Sequence, residues 1–306
     1  MSSERTLGDV RADIDAIDDA IHDMLIRRTE LVEEVRAIKR DWRVKIQPSR
    51  EAEIACRLIE RHRGAFPKRD LLALWRVLIC ATLSFEGPFS VAVHMPDGDP
   101  GFWDVARGHF GPYTPMSRHG SARSVLEQVT RQDATVGVLP MPRSDDADPW
   151  WRHLAIDRAD APRIIARLPF AGFGNSRGSH ADALVICPVA VTATGRDRSF
   201  LVIDTSRRMA AVQLNKMLQD AGFETTLLAP WGERASPQSW LYLVEVEGWL
   251  AAYDPRLAAF REIFGQPIDR LLLIGGYAKP LPAETLDGAR AAAADRVPAS
   301  AGAIVG

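Results

Sequence analysis

Arg28 stands where the periodicity of its neighbours calls for an apolar side chain. From Leu7 to Trp42, alternating steps of three and four residues fall on Leu7, Val10, Ile14, Ile17, Ile21, Met24, Arg28, Leu31, Val35, Ile38 and Trp42. A guanidinium therefore interrupts a seam otherwise suited to burial against other helices. Burying it is costly unless an anion meets it, either a structural carboxylate on a facing helix or a small ligand. Lys39 follows at a helical separation that returns it to within about 20° of Arg28 and roughly 16 Å along the axis. Two long cationic side chains can thus converge on something small between them. Arg11 lies about 25 Å from Arg28 and about 100° around the helix. It can serve the same ligand only if a second copy of the helix brings it there. Farther along, Thr82 and Glu86 extend the stripe Leu72, Trp75, Ile79 by a hydroxyl and a carboxyl one turn apart. On its own, a charge in that place is the solvated end of an apolar face.

Three helices must position these groups. The first run contains no Pro, and no Gly after Gly8, which predicts one helix of roughly 36 residues, about 54 Å long. Pro48-Ser49-Arg50-Glu51 opens a second amphipathic run through Ile54, Leu58 and Ile59 that stops near Gly64 and Pro67, and a third spans Leu71 to Phe85.

Together these residues resemble the active-site set of the all-helical bacterial chorismate mutases: Arg11, Arg28, Lys39, Arg50, Glu51, Thr82 and Glu86 on helices of long, short and medium length. The stretches Val10 to Asp18 and Leu25-Ile26-Arg27-Arg28-Thr29-Glu30-Leu31 are close to that family's helix-one wording. Gln47 stands where many members have Asp, and Glu86 where some have Gln. The resemblance covers residues 6 to 88 and implies an intertwined homodimer formed through the helical domain. It also implies a cofactor-free, metal-free rearrangement of chorismate to prephenate. Arg28 and a second copy's Arg11 would grip the two carboxylates, Lys39 and Glu86 would address the ether oxygen, and Glu51 would accept from the ring hydroxyl. Arg50 and Thr82 would support these groups, with Gln47 on the substrate-binding side. An isochorismate pyruvate lyase uses a very similar site, and a non-catalytic chorismate sensor or assembly protein is a further alternative.

The totals suit this. With 46% hydrophobic and 25% charged residues over 306 positions, the chain reads as a globular protein of two or three domains. A net charge of −2 offers no general attraction to nucleic acid or membranes. Cys56, Cys80 and Cys187 are too scattered for a disulfide framework or zinc site, and the seven His lack metal-ligand spacing. No apolar signal core or membrane-length run is visible, which predicts a cytoplasmic protein.

After Gly87-Pro88 the periodicity changes, marking a domain over 1–88. Residues 89–197 alternate strands (Val91–Met95, Thr135–Leu139, Pro162–Leu168, Ala183–Cys187) with helices (Trp103–Phe110, Ser124–Arg131), a small α/β domain. This region resembles a shortened prephenate dehydratase. Gly137 to Ser144 echoes that family's Pro-Ile-Glu-Asn-Ser strand end, with Pro142 and Arg143 replacing Glu and Asn. The Gly-Pro-x-Gly-Thr-Phe opening is absent around Met95 to Phe102, and Arg198-Ser199-Phe200 replaces Thr-Arg-Phe. Dehydratase activity is not expected. The glycine-rich Phe170 to Gly178 follows a strand but lacks the helix that would present amides to a phosphate, so it reads as a turn. Residues 198–282 give strand, helix, strand, strand, helix, strand, a ferredoxin-like α+β unit resembling the ACT domain. Its effector motifs are replaced at Arg208 to Val212 and Ala229-Pro230-Trp231. The Ala-rich residues 283–306 read as a disordered tail.

Overall fold

The computed structural model describes residues 5–97, 99–172, 182–232, 239–265 and 268–286. Three helices open it: α1 (Leu7–Ile38), α2 (Pro48–Arg61) and α3 (Lys68–Glu86). Helix α1 starts from a capping box in which the Thr6 hydroxyl accepts from Asp9 N while the Asp9 carboxylate accepts from Thr6 N. It ends four residues short of the predicted Trp42. Lys39 leaves the helix at ψ 17°, its backbone N–H still reaching Val35 O, and the chain turns through residues 40 and 41. Pro48 at the first turn of α2 and Pro67 ahead of α3 fix the other two starts.

The apolar seam of α1 is open in a single chain. Ile14 is 51% exposed, Ile17 58%, Ile21 53% and Met24 68%, and no residue of the helix is buried. Only its inner edge, near Leu25, Arg28, Thr29 and Val32, is half-buried.

Among the described residues nine strands follow: β1 (Val91–His94), β2 (Met116–His119), β3 (Val136–Pro140), β4 (Arg163–Leu168), β5 (Ala183–Cys187), β6 (Asp197–Thr205), β7 (Thr225–Gly232), β8 (Trp240–Glu247) and β9 (Arg270–Ala278). Helices α4 (Gly101–Phe110), α5 (Ala122–Arg131), α6 (Ala211–Asp220) and α7 (Pro255–Phe264) interleave with them. The strands form one sheet in the order β2-β1-β3-β5-β4-β9-β6-β8-β7. Within it β6-α6-β7-β8-α7-β9 has the anticipated βαββαβ order, with spatial order β9-β6-β8-β7 and antiparallel neighbours. Strand β4 joins that unit by pairing parallel with β9 at Ile164 and Gly275. The approach there demands glycine: φ of Gly275 is +125°, and a Cβ would lie 2.1 Å from Ile164 O.

The helical segment is seated on this sheet. Ile79 and Leu83 of α3, with Ile46, share a core with Val91, Phe110, Val136 and Val185. Ser49 of α2 donates to Thr192 O at 2.8 Å and accepts from Thr192 N. Two elements were not foreseen: the edge strand β2, and a 3-10 turn (Trp150–Leu154) that buries Trp150 and Trp151. Residues 283–286 of the expected tail form a helical turn whose Leu286 packs with Ala55, Ile59 and Leu72. The rest of that tail, and the glycine-rich segment from residue 173, lie outside the described residues.

Candidate active site

Helices α1 and α3 bring four of the candidate residues together in two pairs. Lys39 Nζ lies 3.1 Å from Glu86 Oε2, with side chains only 11% and 9% exposed. The ammonium also donates to Lys45 O at 3.3 Å and sits over the Trp42 ring, 5.6 Å from its centre. Two of its three donors are thus used, and one is left. On the same face Arg28 Nη1 lies 3.5 Å from Thr82 Oγ1, whose own proton is directed to the Ile79 and Leu78 carbonyls. Thr82 orients the guanidinium without neutralising it.

Arg28 therefore differs from an ordinary structural arginine. It makes no ion pair among the described residues, and burial pulls its pKa below the ordinary value with no carboxylate acting against that. The structural-carboxylate explanation of a seam arginine is not realised among the described residues.

The remaining candidates sit elsewhere. Arg11 projects from the exposed first third of α1. Gln47 is the residue before α2; its carbonyl accepts from Glu51 N at 3.0 Å, and its side chain makes no capping bond. Arg50 is largely exposed and pairs with Glu53 at 3.1 Å. Glu51 is buried, but its Oε2 accepts from Arg76 Nη1 at 2.7 Å and makes no bond to Arg28 or Lys39.

Arg76 was not foreseen. It is held inside by Glu51, by the His109 carbonyl at 2.9 Å and by the Cys80 sulfur at 3.8 Å. Burial acts to lower its pKa, yet Glu51 and Cys80 outweigh burial and the net shift is upward. Burial pushes the Cys80 thiol up to about 11 despite the adjacent Arg76, so this cysteine is a poor nucleophile. The signal for Arg76 was available, since Leu72, Arg76 and Cys80 recur at four-residue spacing and place a guanidinium on an apolar face.

In the α/β region, Arg143 is exposed and pairs with Asp145 at 2.9 Å. Arg198 is tied to Glu247 at 3.0 Å and Glu245 at 3.4 Å. The Ser199 hydroxyl donates to Gly248 O at 3.0 Å and accepts from Leu250 N at 2.9 Å. Among the described residues no cluster of three His, Cys, Asp or Glu could hold a metal, and no helix is long and apolar enough to cross a membrane.

Residues 10–87 match the family described as Chorismate mutase type II. A bifunctional chorismate mutase/prephenate dehydratase of Stutzerimonas stutzeri is 27% identical over 153 residues, 48% of this chain and 41% of the relative. One from Aquifex aeolicus is 32% identical over 144 residues, 44% of this chain and 38% of the relative. The matched stretches thus span about two fifths of the length of these curated relatives. Among solved structures, a chain titled as GqqA, a novel type of quorum quenching acylase, superposes with TM-score 0.47 at 16% identity, covering 64% of this chain and 97% of its own. Prephenate dehydratase from Streptococcus mutans gives 0.45 at 13%, covering 63% and 98%.

Proposed function

We propose that this chain, whose residues 10–87 match the chorismate mutase type II family, rearranges chorismate to prephenate in a site completed by a second copy of itself. The observation that carries the reading is Arg28, a half-buried guanidinium with no carboxylate partner among the described residues, on the side of α1 that meets α3, as is Lys39 just past the helix end. The reaction is an intramolecular pericyclic shift. It gains from holding a flexible dianion compact and from placing donors where charge builds on the breaking ether oxygen. Arg28, steadied by Thr82, takes one carboxylate, with a bidentate geometry that Lys cannot copy. The remaining donor of Lys39 faces the ether oxygen, and Glu86 fixes the ammonium in place. Gln47, Arg50 and Glu51, at the start of α2, are assigned to the ring hydroxyl and the carboxylates on the resemblance. Arg11 of a second copy takes the other carboxylate. The open seam of α1 supports that pairing, because an apolar stripe of this length calls for a partner helix.

The α/β region is read as lacking dehydratase turnover. Arg198 and Ser199 are occupied by fixed partners, and Arg143 turns outward to Asp145. Expelling water and carbon dioxide together needs a positioned acid and hydroxyl.

Purified protein given chorismate and followed at the absorbance of its diene tests both parts. Absorbance lost with prephenate formed, and no phenylpyruvate above the uncatalysed rate, is the expected result. Salicylate from isochorismate would transfer the site to the lyase reaction, and binding without turnover would make it a sensor.

A further inference from the structure

Between the last turns of α1, the segment linking it to α2 and the end of α3 lies an open cleft of about 600 Å³. Its charged walls are Arg36 in the last turn of α1, with Arg40, Arg43 and Lys45 beyond the helix, against Glu33 and Glu86. Lys45 is committed, since its ammonium donates to the carbonyls of Lys39 and Arg40 just past the end of α1. Glu86 is committed too, to Lys39. The other cations are not bound in place. Arg36 and Arg43 donate no hydrogen bond among the described residues, though Arg43 adds its charge to the Arg158 hydrogen bond that lowers the Asp160 carboxyl. Arg40 pairs only at 3.6 Å with Asp41, and both are more than four-fifths exposed. Three guanidiniums without a hydrogen-bonded carboxylate thus line the cleft with Glu33, and the cleft also reaches the buried Glu86.

We infer that this cleft is the approach by which a dicarboxylate anion reaches the Lys39–Glu86 pair, with Arg36, Arg40 and Arg43 raising its local concentration. The inference rests on the mutase reading. It follows from placement: the cleft ends on a residue of the proposed site, and the surplus of positive charge lies on the solvent side of that residue. The helix end here is a C-terminus, so no free amides are available and attraction of an anion falls to the side chains. Focusing by a charged cleft speeds encounter about tenfold or more at low salt and fades as ions screen it over roughly 10 Å.

The test is kcat/KM of the full chain with chorismate from low to high ionic strength, for the parent and for Arg36→Gln/Arg40→Gln/Arg43→Gln. The parent's kcat/KM should fall as salt rises. The variant should start about tenfold lower with kcat within roughly twofold of the parent, and its salt slope should be flatter. Should the triple variant fail to fold, each single substitution should show a part of the same flattening. Equal kcat/KM and parallel slopes would overturn the inference, as would a loss confined to kcat. If the parent turns chorismate over without this salt effect, only the cleft proposal falls. If it does not turn chorismate over at all, the mutase reading falls and takes the cleft with it.

Discussion

Lys39 and Glu86 are 47 residues apart in sequence and 3.1 Å apart in space. Periodicity picked out Lys39, eleven residues after Arg28, and Glu86, at the end of the stripe through Thr82, whereas the bond between Arg28 and Thr82 is visible only in the fold. An ionised Glu86 can only accept hydrogen bonds and so repels a developing oxyanion, whereas Gln donates with nearly the same shape. Glu86→Gln should keep mutase turnover, since the amide still accepts from Lys39 and can also donate. A variant without turnover at any chorismate concentration would show that Glu86 acts other than through hydrogen bonds. Glu51 was less legible. The family resemblance assigned it to the substrate's ring hydroxyl, and within the chain it pairs with Arg76, beside rather than on the Leu72–Glu86 stripe. Removing one member of a buried pair strands the other, so Arg76→Met should lower stability by about 3–5 kcal/mol in urea unfolding. Arg76→Met with Glu51→Gln should recover part of it. A single variant as stable as the parent would show that the pair is not held as tightly as its 2.7 Å contact implies.

Helix α4 carries a second consequence of the same cluster. His109 packs edge-on against Phe110, 4.8 Å between ring centres, beside Arg76. Burial, and then the Arg76 charge, hold its pKa well below the ordinary 6.5. The sign follows from proton uptake: below pH 6.5 the unfolded chain binds a proton that folded His109 refuses, so stability falls as pH drops through that value. Chemical denaturation from pH 8 to 5 should show this loss, and His109→Gln should reduce it. Equal slopes in the two proteins would contradict the assignment. Other features at this scale were not visible in the residues. Nothing in Lys39-Arg40-Asp41-Trp42 ends a helix by type. Helix α1 stops where the Lys39 side chain reaches Glu86 and Lys45 O, contacts that local sequence does not show. Strand β2 (Met-Ser-Arg-His) has no alternation, since it is an edge strand paired on one side only. By contrast β5 and α7 fall where their apolar runs place them.

Across the whole molecule, the order of elements could be read from periodicity apart from β2 and the 3-10 turn, but the joining of the α/β and ferredoxin-like strands into one sheet could not. That depends on a single close approach at Ile164 and Gly275, for which one glycine is the only local sign. The long seam of α1 stays exposed in one chain, and in the proposed dimer a second copy covers it and also supplies Arg11. The most direct test is to denature and refold Arg11→Ala and Arg28→Ala proteins together and assay chorismate turnover. Each parent should be nearly inactive. Half of the mixed dimers would pair unlike chains, each with one intact site of two, so the mixture should regain about a quarter of the unmutated activity per chain. A refolded mixture no more active than its parents would contradict a mutase site shared between two copies.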